Sequence, residues 1–257
     1  AGVLAYGVVV GGNGVIGTLN NASSGSISGQ LSGIIVSGTI GTLNNAGSIT
    51  GGAANNAISK DAIWVTSAGS IGVINNTGSI YSANGVDINN AGVINTLNNA
   101  QMSLLISGNL PTNYNIVIRS AANYGVMVAS PGALVSGTQT NFGIASGSAI
   151  TTNSYAGVLA GLTAGNLKKT TGTYQGLNWT LAAGTGSNNW DLTFSGTNAS
   201  VMSALNQTTT ALQSAFTLQN TVLVNGFTYD CPVFDKNNVC VSVGARSTAV
   251  NTDSVNS

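Results

Sequence analysis

Charged residues are unusually scarce in this sequence, and histidine and glutamate are absent. Only 5% of the 257 residues are charged, whereas ordinary globular proteins carry about 25%. The six acidic residues are all Asp, and the formal net charge is zero. A Ser-His-Asp mechanism is excluded because it needs an imidazole to move the proton. The lack of basic runs also argues against nucleic acid as a partner.

Long apolar segments are missing as well. No run approaches the roughly 20 residues that a membrane-spanning helix needs. The first residues, AGVLAYGVVVGGNG, contain no Met and no positively charged region. We therefore interpret this start as the interior of a longer protein rather than as a signal peptide.

What the sequence does contain is Gly, Asn, Ser and Thr between short runs of Val, Ile and Leu. Hydrophobic residues make up 43% of the chain, which is enough to fill a core. Helix-forming Glu, Lys, Arg and Gln are scarce, whereas β-branched and turn-forming residues are abundant. This composition predicts an all-β protein.

A phrase recurs four times in the first 110 residues. The copies are GVIGTLNNASSGSI (14–27), GTIGTLNNAGSI (38–49), GSIGVINNTGSI (69–80) and GVINTLNNAQM (92–102). Two apolar positions recur in every copy: Ile16, Ile40, Ile71 and Ile94, and then Leu19, Leu43, Ile74 and Leu97. An Asn pair follows, and its first members are Asn20, Asn44, Asn75 and Asn98.

The spacing of the phrase indicates stacked structural units. The first Ile positions lie 24, 31 and 23 residues apart, within the range of repeat architectures. Leucine-rich repeats need a denser Leu framework, and propeller blades repeat at longer periods. We expect a right-handed parallel β-helix, a solenoid in which equivalent residues stack about 4.8 Å apart. The apolar positions would form core ladders.

The Asn residues have two interpretations. In the first they turn the corners with Gly, because both residues tolerate positive φ, and their amides hydrogen-bond along the axis as a ladder. In the second they form a row of ligand-binding amides. The repetition favours the ladder.

The second half of the chain lacks the phrase. LNWTLAAGTGSNNWDLTF (177–194) predicts a β-hairpin with Trp179, Trp190 and Phe194 on its apolar faces, which would cap the open end of a solenoid. Residues 198–222 carry no charge, and their apolar residues recur at spacings of three and four, which predicts one short α-helix. We expect three regions: β-helix repeats (1–110), a cap with the aromatic hairpin (111–197), and a C-terminal region that begins with the helix (198–257).

The last region resembles a known junction. LQNTVLVNGFTYDCPVFDKNNVCVSVGAR (218–246) is similar to the segment that joins the secreted β-helical passenger of bacterial type V autotransporters to their outer-membrane barrel. The family's motif, YDC followed by C-[VI]-S-x-G-x-R, matches at Tyr229, Asp230, Cys231, Cys240, Val241, Ser242, Gly244 and Arg246. The resemblance implies export through the periplasm and outer membrane to the cell surface or beyond. It also implies a helix in the barrel pore and an outer-membrane barrel in the parent chain. The family's barrel is twelve-stranded and needs more residues than follow Arg246, so we expect the barrel to be missing here.

The two cysteines fit an exported protein. Cys231 and Cys240 flank a polar loop, and a local disulfide is expected in an oxidising compartment. Metal binding is the alternative, although two thiols without His make a poor site. We expect no metal, no cofactor and no catalytic residue.

Three functions are consistent with these features. The first is a non-enzymatic surface passenger that acts as an adhesin for an unknown surface ligand or as a structural stalk. The second is a self-assembling subunit that stacks head to tail into a homo-oligomer or filament. The third is a polysaccharide-cleaving β-helix enzyme using Lys60, Asp61 and Asp87, whose simpler interpretation is an isolated ion pair.

Overall fold

The computed structural model describes residues 5–52, 60–196, 208–217, 219 and 234–239. The chain divides into two compact units, Ala1–Gly196 and Thr197–Ser257. The first unit is built mainly of parallel β-sheets, which confirms the expected all-β class. In the second unit, residues 208–217 are helical and lie inside the predicted helix 198–222.

The described part of the first unit contains twenty-two short strands. In chain order they are β1 (Val8–Val10), β2 (Val15–Asn21), β3 (Ser26–Ser28), β4 (Ile34–Val36), β5 (Thr39–Asn45), β6 (Ser48–Gly51), β7 (Ile63–Val65), β8 (Ser70–Asn76), β9 (Ser79–Ser82), β10 (Ile88–Asn90), β11 (Val93–Asn99), β12 (Leu104–Gly108), β13 (Asn113–Ile116), β14 (Ile118–Ser120), β15 (Asn123–Tyr124), β16 (Met127–Leu134), β17 (Thr140–Ile144), β18 (Ser154–Ala160), β19 (Leu167–Lys169), β20 (Thr171–Tyr174), β21 (Leu177–Ala183) and β22 (Trp190–Ser195). A single 3-10 turn, Ala164–Asn166, precedes β19.

Equivalent strands of successive repeats lie side by side in three sheets. The long sheet has the order β1-β4-β7-β10-β12-β16-β18-β22-β21-β20, the asparagine sheet β2-β5-β8-β11-β13-β17-β19, and the short sheet β3-β6-β9. The first three repeats each give one strand to every sheet, and repeat neighbours pair in parallel. A separate antiparallel pair joins β14 to β15. None of the described sheets closes on itself.

The register of the asparagine sheet aligns equivalent residues of the phrase. Ile40 pairs with Ile16 and Ile71. The rows Ile40, Ile71, Ile94 and Leu43, Ile74, Leu97 are almost fully buried. Ile16 and Leu19, on the edge strand β2, are only half-buried. The apolar rows thus form the core of the repeats, and the first repeat leaves its end of that core incompletely covered.

The phrase's glycines and asparagines do not have the positive φ that the sequence suggested. Positive φ occurs at other described residues, and both members of each Asn pair lie in extended strand. A Cβ on Gly41 would lie 2.5 Å from the carbonyl oxygen of Gly17, and one on Gly72 equally close to that of Gly41. The corner interpretation is therefore wrong for these residues, since Gly is required there by close packing of successive strands.

The sheets continue past residue 110, where the phrase ends. Tyr114 pairs in register with Leu97 on one side and with Phe142 on the other, so an aromatic row extends the aliphatic one. The Phe142 ring meets Trp179 edge-on at 5.4 Å between centroids. The hairpin predicted at 177–194 is the antiparallel pair β21–β22. Its Trp179 packs at the end of this aromatic row.

Candidate functional site

The predicted Asn residues form a hydrogen-bonded row on the outside of the asparagine sheet, here called the outer row. Nδ2 of Asn44 donates to Oδ1 of Asn20 at 2.8 Å, and Nδ2 of Asn75 donates to Oδ1 of Asn44 at 2.8 Å. Asn98 donates to Asn75 at 2.6 Å. Asn115, beyond the last copy of the phrase, donates to Asn98 at 2.8 Å. The outer row therefore joins five successive strands.

The second member of each Asn pair forms a parallel row, here called the inner row, whose amides point in the opposite direction. Nδ2 of Asn21 donates to Oδ1 of Asn45 at 2.8 Å, Asn45 donates to Asn76 at 2.9 Å, and Asn76 donates to Asn99 at 3.1 Å. All four side chains are buried. The repeat pattern predicted a ladder of the first Asn of each pair, and the buried ladder of the second Asn was not predicted.

The two rows differ in how completely their donors are used. In the inner row the second N–H of Asn21 goes to the carbonyl oxygen of Ser48, and that of Asn45 goes to Ser79. In the outer row Asn44, Asn75, Asn98 and Asn115 each donate one side-chain N–H to a described acceptor. Because an amide carries two N–H donors, the outer row keeps one donor per strand for solvent or a ligand. The inner row is saturated and structural.

The side chain of Gln101 explains why the short sheet ends at β9. In the fourth repeat Gln101 stands where the phrase would continue into a strand. Its Oε1 accepts the backbone N–H of Ile80 at 2.8 Å, and its Nε2 donates to the Ile80 carbonyl at 2.9 Å. The same Oε1 accepts from Asn76 at 3.2 Å. The Gln101 amide thus replaces the peptide group of a next strand and satisfies the edge of β9.

Two shallow cavities follow the outer row. One, of about 360 Å³, is lined by Asn20, Asn44, Asn75 and the small residues Ala22 and Ala46. The other, of about 620 Å³, continues along Asn75, Asn98 and Asn115. Thr77 lines both, so we treat them as one feature and name it the amide groove. No charged side chain lines either cavity.

The candidate carboxylates are engaged in the fold. Asp61 accepts the N–H of Val86 at 3.1 Å and the side-chain amide of Asn89 at 2.9 Å. Asp87 accepts the backbone N–H groups of Ser82 at 3.0 Å and Leu105 at 2.8 Å. Both side chains are buried. These contacts give each carboxylate a structural role.

Burial is the main influence on the pKa of the Asp87 carboxyl. Desolvation raises the pKa of its carboxyl above the ordinary value of 3.8, and the hydrogen bonds from Leu105 and Ser82 partly oppose this. The buried phenol of Tyr114, which receives a hydrogen bond from Asn99, likewise has its pKa raised by desolvation. Desolvation is the larger cause for both groups.

The predicted disulfide and junction residues lie outside the described residues. Cys231 and Cys240 lie in the undescribed part, as do Tyr229 and Arg246. Within the described ranges, no three His, Cys, Asp or Glu side chains come together as a metal site would need. Those ranges also hold no helix with the length and hydrophobicity that crossing a membrane requires.

Comparison with known proteins adds no relative. The chain matches no protein-family model, no curated protein and no solved structure.

Proposed function

We propose that the first unit is a right-handed parallel β-helix and that the chain is the surface-exposed passenger of an autotransporter. The observation that carries this proposal is the parallel stacking of the asparagine sheet from β2 to β19, with equivalent residues in register across the four copies of the phrase. Each early repeat feeds three sheets in turn, as one solenoid turn would. The antiparallel hairpin β21–β22 then caps the last turns.

A passenger of this kind works as an adhesin or a stalk. The interior is filled with apolar rows and a saturated amide row, which stiffen a long scaffold without catalytic groups. The exposed face offers a neutral amide groove, which suits recognition more than bond cleavage. The polysaccharide-cleaving alternative is weakened because Asp61 and Asp87 already accept hydrogen bonds from the fold.

The link to secretion rests on sequence alone. Tyr229, Cys231, Cys240 and Arg246 match the junction that precedes the family's barrel. In an oxidising compartment the cysteines would close a short loop, which stabilises by roughly 2–3 kcal/mol. This part of the proposal predicts that the repeats lie outside the cell.

Labelling of intact producing cells tests the proposal. An antibody raised against residues 1–110 is expected to decorate the surface, and added protease is expected to remove the label. A cytoplasmic protein probed on the same cells provides the control for cell integrity. Label that appears only after the cells are permeabilised would contradict a surface passenger.

Self-assembly is a second candidate, favoured by the exposed edge at the first repeat. Val9 is 62% exposed and Val15 76% exposed, and no charged residue precedes Lys60. Natural sheet edges usually carry charges that prevent edge-to-edge pairing. Because the antiparallel strands β22, β21 and β20 form the other end of the long sheet, pairing of two such edges is favoured over head-to-tail filaments.

Sedimentation over a range of concentrations tests this second candidate. Val15→Lys charges the edge strand and should abolish concentration-dependent association. Val93→Lys is the matched control, because Val93 is also exposed, at 51%, and belongs to the same register row on an interior strand. A monomer at every concentration would reject self-assembly.

A further inference from the structure

In the amide groove, the fold uses only half of the N–H donors of the outer row from Asn44 to Asn115. In the outer row, Asn44, Asn75 and Asn98 each spend one N–H on the neighbouring amide. The second N–H and one lone pair of each oxygen remain. Donors and acceptors therefore alternate along a line that crosses five strands, repeating about every 4.8 Å.

The rest of the groove is neutral and is lined by aliphatic side chains, hydroxyl groups and the inner-row amides. Ala22 and Ala46 form a shelf beside Asn20 and Asn44, and Val117 and Ala145 continue it beside Asn115. The nearest described cation with a contact here is Arg119, whose Nη2 donates to the carbonyl of Thr77 at 2.9 Å. No aromatic ring lines either cavity. The groove thus offers paired amides and aliphatic contact, without a charge to pair with an ionic ligand.

We propose that the amide groove binds an uncharged, extended polysaccharide along the row Asn20, Asn44, Asn75, Asn98 and Asn115. Sugar hydroxyls both donate and accept, which matches an amide that offers one group of each kind, and the C–H faces of the rings pack on the alanine shelf. The strand spacing is similar to the length of one ring in an extended chain, so successive sugars meet successive amides. Each step is weak because no aromatic platform is present, and several steps together give the affinity. This inference rests on the proposed surface location, since the polysaccharide would lie outside the cell.

Nuclear magnetic resonance on the isotope-labelled full chain tests the proposal through its side-chain amides. The probes are soluble neutral hexasaccharides, cellohexaose, xylohexaose and chitohexaose, with a galacturonate hexamer as the charged comparison. At least one neutral probe is expected to shift the side-chain amides of Asn44, Asn75 and Asn98 saturably. The amides of the saturated Asn45 and Asn76 should move much less.

Variants make the result specific. Asn75→Ala should weaken binding about fivefold, which corresponds to a net hydrogen bond of about 1 kcal/mol. Asn95→Ala is the matched control, because Asn95 is exposed on the same strand as Asn98 and does not line the groove. Ala46→Leu narrows the groove and leaves every amide of both rows in the sequence, so it should also weaken binding even if Asn75→Ala destabilises the fold.

Three outcomes would overturn the inference. They are the absence of outer-row shifts with every neutral probe up to its solubility limit, tighter binding of the galacturonate hexamer, and an equal loss of affinity in Asn95→Ala. Antibody labelling of intact cells distinguishes a failure of polysaccharide binding from a failure of the proposed surface location. Surface label without polysaccharide binding rejects the groove's role and leaves the passenger standing.

Discussion

Asn44 and Asn45 are adjacent, chemically identical and held by similar hydrogen bonds, yet their replacement by Ala should have different costs. Asn45 is 1% exposed and accepts from Asn21 while donating to Asn76 and to the Ser79 carbonyl. Removing its amide leaves two buried side-chain groups, on Asn21 and Asn76, and the part-buried Ser79 carbonyl short of a partner. At about 1–3 kcal/mol for each orphaned group, partly relieved by relaxation, Asn45→Ala should lower the free energy of unfolding by about 3–5 kcal/mol.

Asn44 provides the comparison because water can reach it. Its amide joins Asn20 and Asn75 in the half-exposed outer row. Solvent replaces the lost partners, so Asn44→Ala should cost only about 0.5–1 kcal/mol. The same atoms are deleted in both variants, and the difference between them isolates burial.

Urea unfolding of both variants, followed by far-ultraviolet circular dichroism and by tryptophan fluorescence, measures this difference. Stacked repeats can unfold in parts, so the two probes must give coincident transitions before free energies are compared. The denaturant slope must also match that of the parent chain. Equal losses in Asn44→Ala and Asn45→Ala would refute the division into a structural inner row and an available outer row.

Three further predictions concern packing and pH. Gly41→Ala should destabilise the fold by about 1–3 kcal/mol in thermal melts, because its Cβ would meet the Gly17 carbonyl. Gly17→Ala is the control and should be nearly neutral, because its Cβ meets nothing within 4 Å. A loss of stability in Gly17→Ala would show that something stacks on β2. Trp179→Ala should lower the free energy of unfolding in urea by about 3–5 kcal/mol, since this side chain is 3% exposed and its ring packs against Phe142. A decrease below about 1 kcal/mol would contradict its capping role. Asp87 has a raised pKa in the folded state, so its contribution to stability is present below pH 3.8 and is lost as pH rises through that raised pKa. Asp87→Asn should remove this decline from the free energies of unfolding measured as a function of pH. An unchanged pH dependence in Asp87→Asn would contradict the raised pKa of Asp87.

The repeat phrase allowed the register to be predicted, because each copy has the same apolar positions and parallel strands align them. The burial of the second Asn could also have been found. Side chains alternate along a strand, so Asn45 shares the inward face of Leu43, and Asn44 faces outward. The corner interpretation hides this alternation, because alternation does not apply at a corner.

The reason for the phrase's glycines could not be read from one sequence. Positive φ and close packing both select Gly, and only the distance between neighbouring strands tells them apart. The sheets beyond residue 110 were hidden for a related reason. Tyr114 and Phe142 continue the apolar row without its Leu or its phrase, so the stacking persists after the sequence period has disappeared.

The inner Asn row solves a problem that low charge creates for stacked parallel strands. A one-residue slip in register would move every side chain to the opposite face, and this chain has few charges with which to oppose such a slip. In the inner row, a slip that brought Ala46 into the place of Asn45 would leave the buried amides of Asn21 and Asn76 without their partner. A buried Asn is known to fix register in coiled coils by this penalty. We infer that Asn45 and Asn76 set the register from within the core, which leaves Asn44 and Asn75 free to serve the surface.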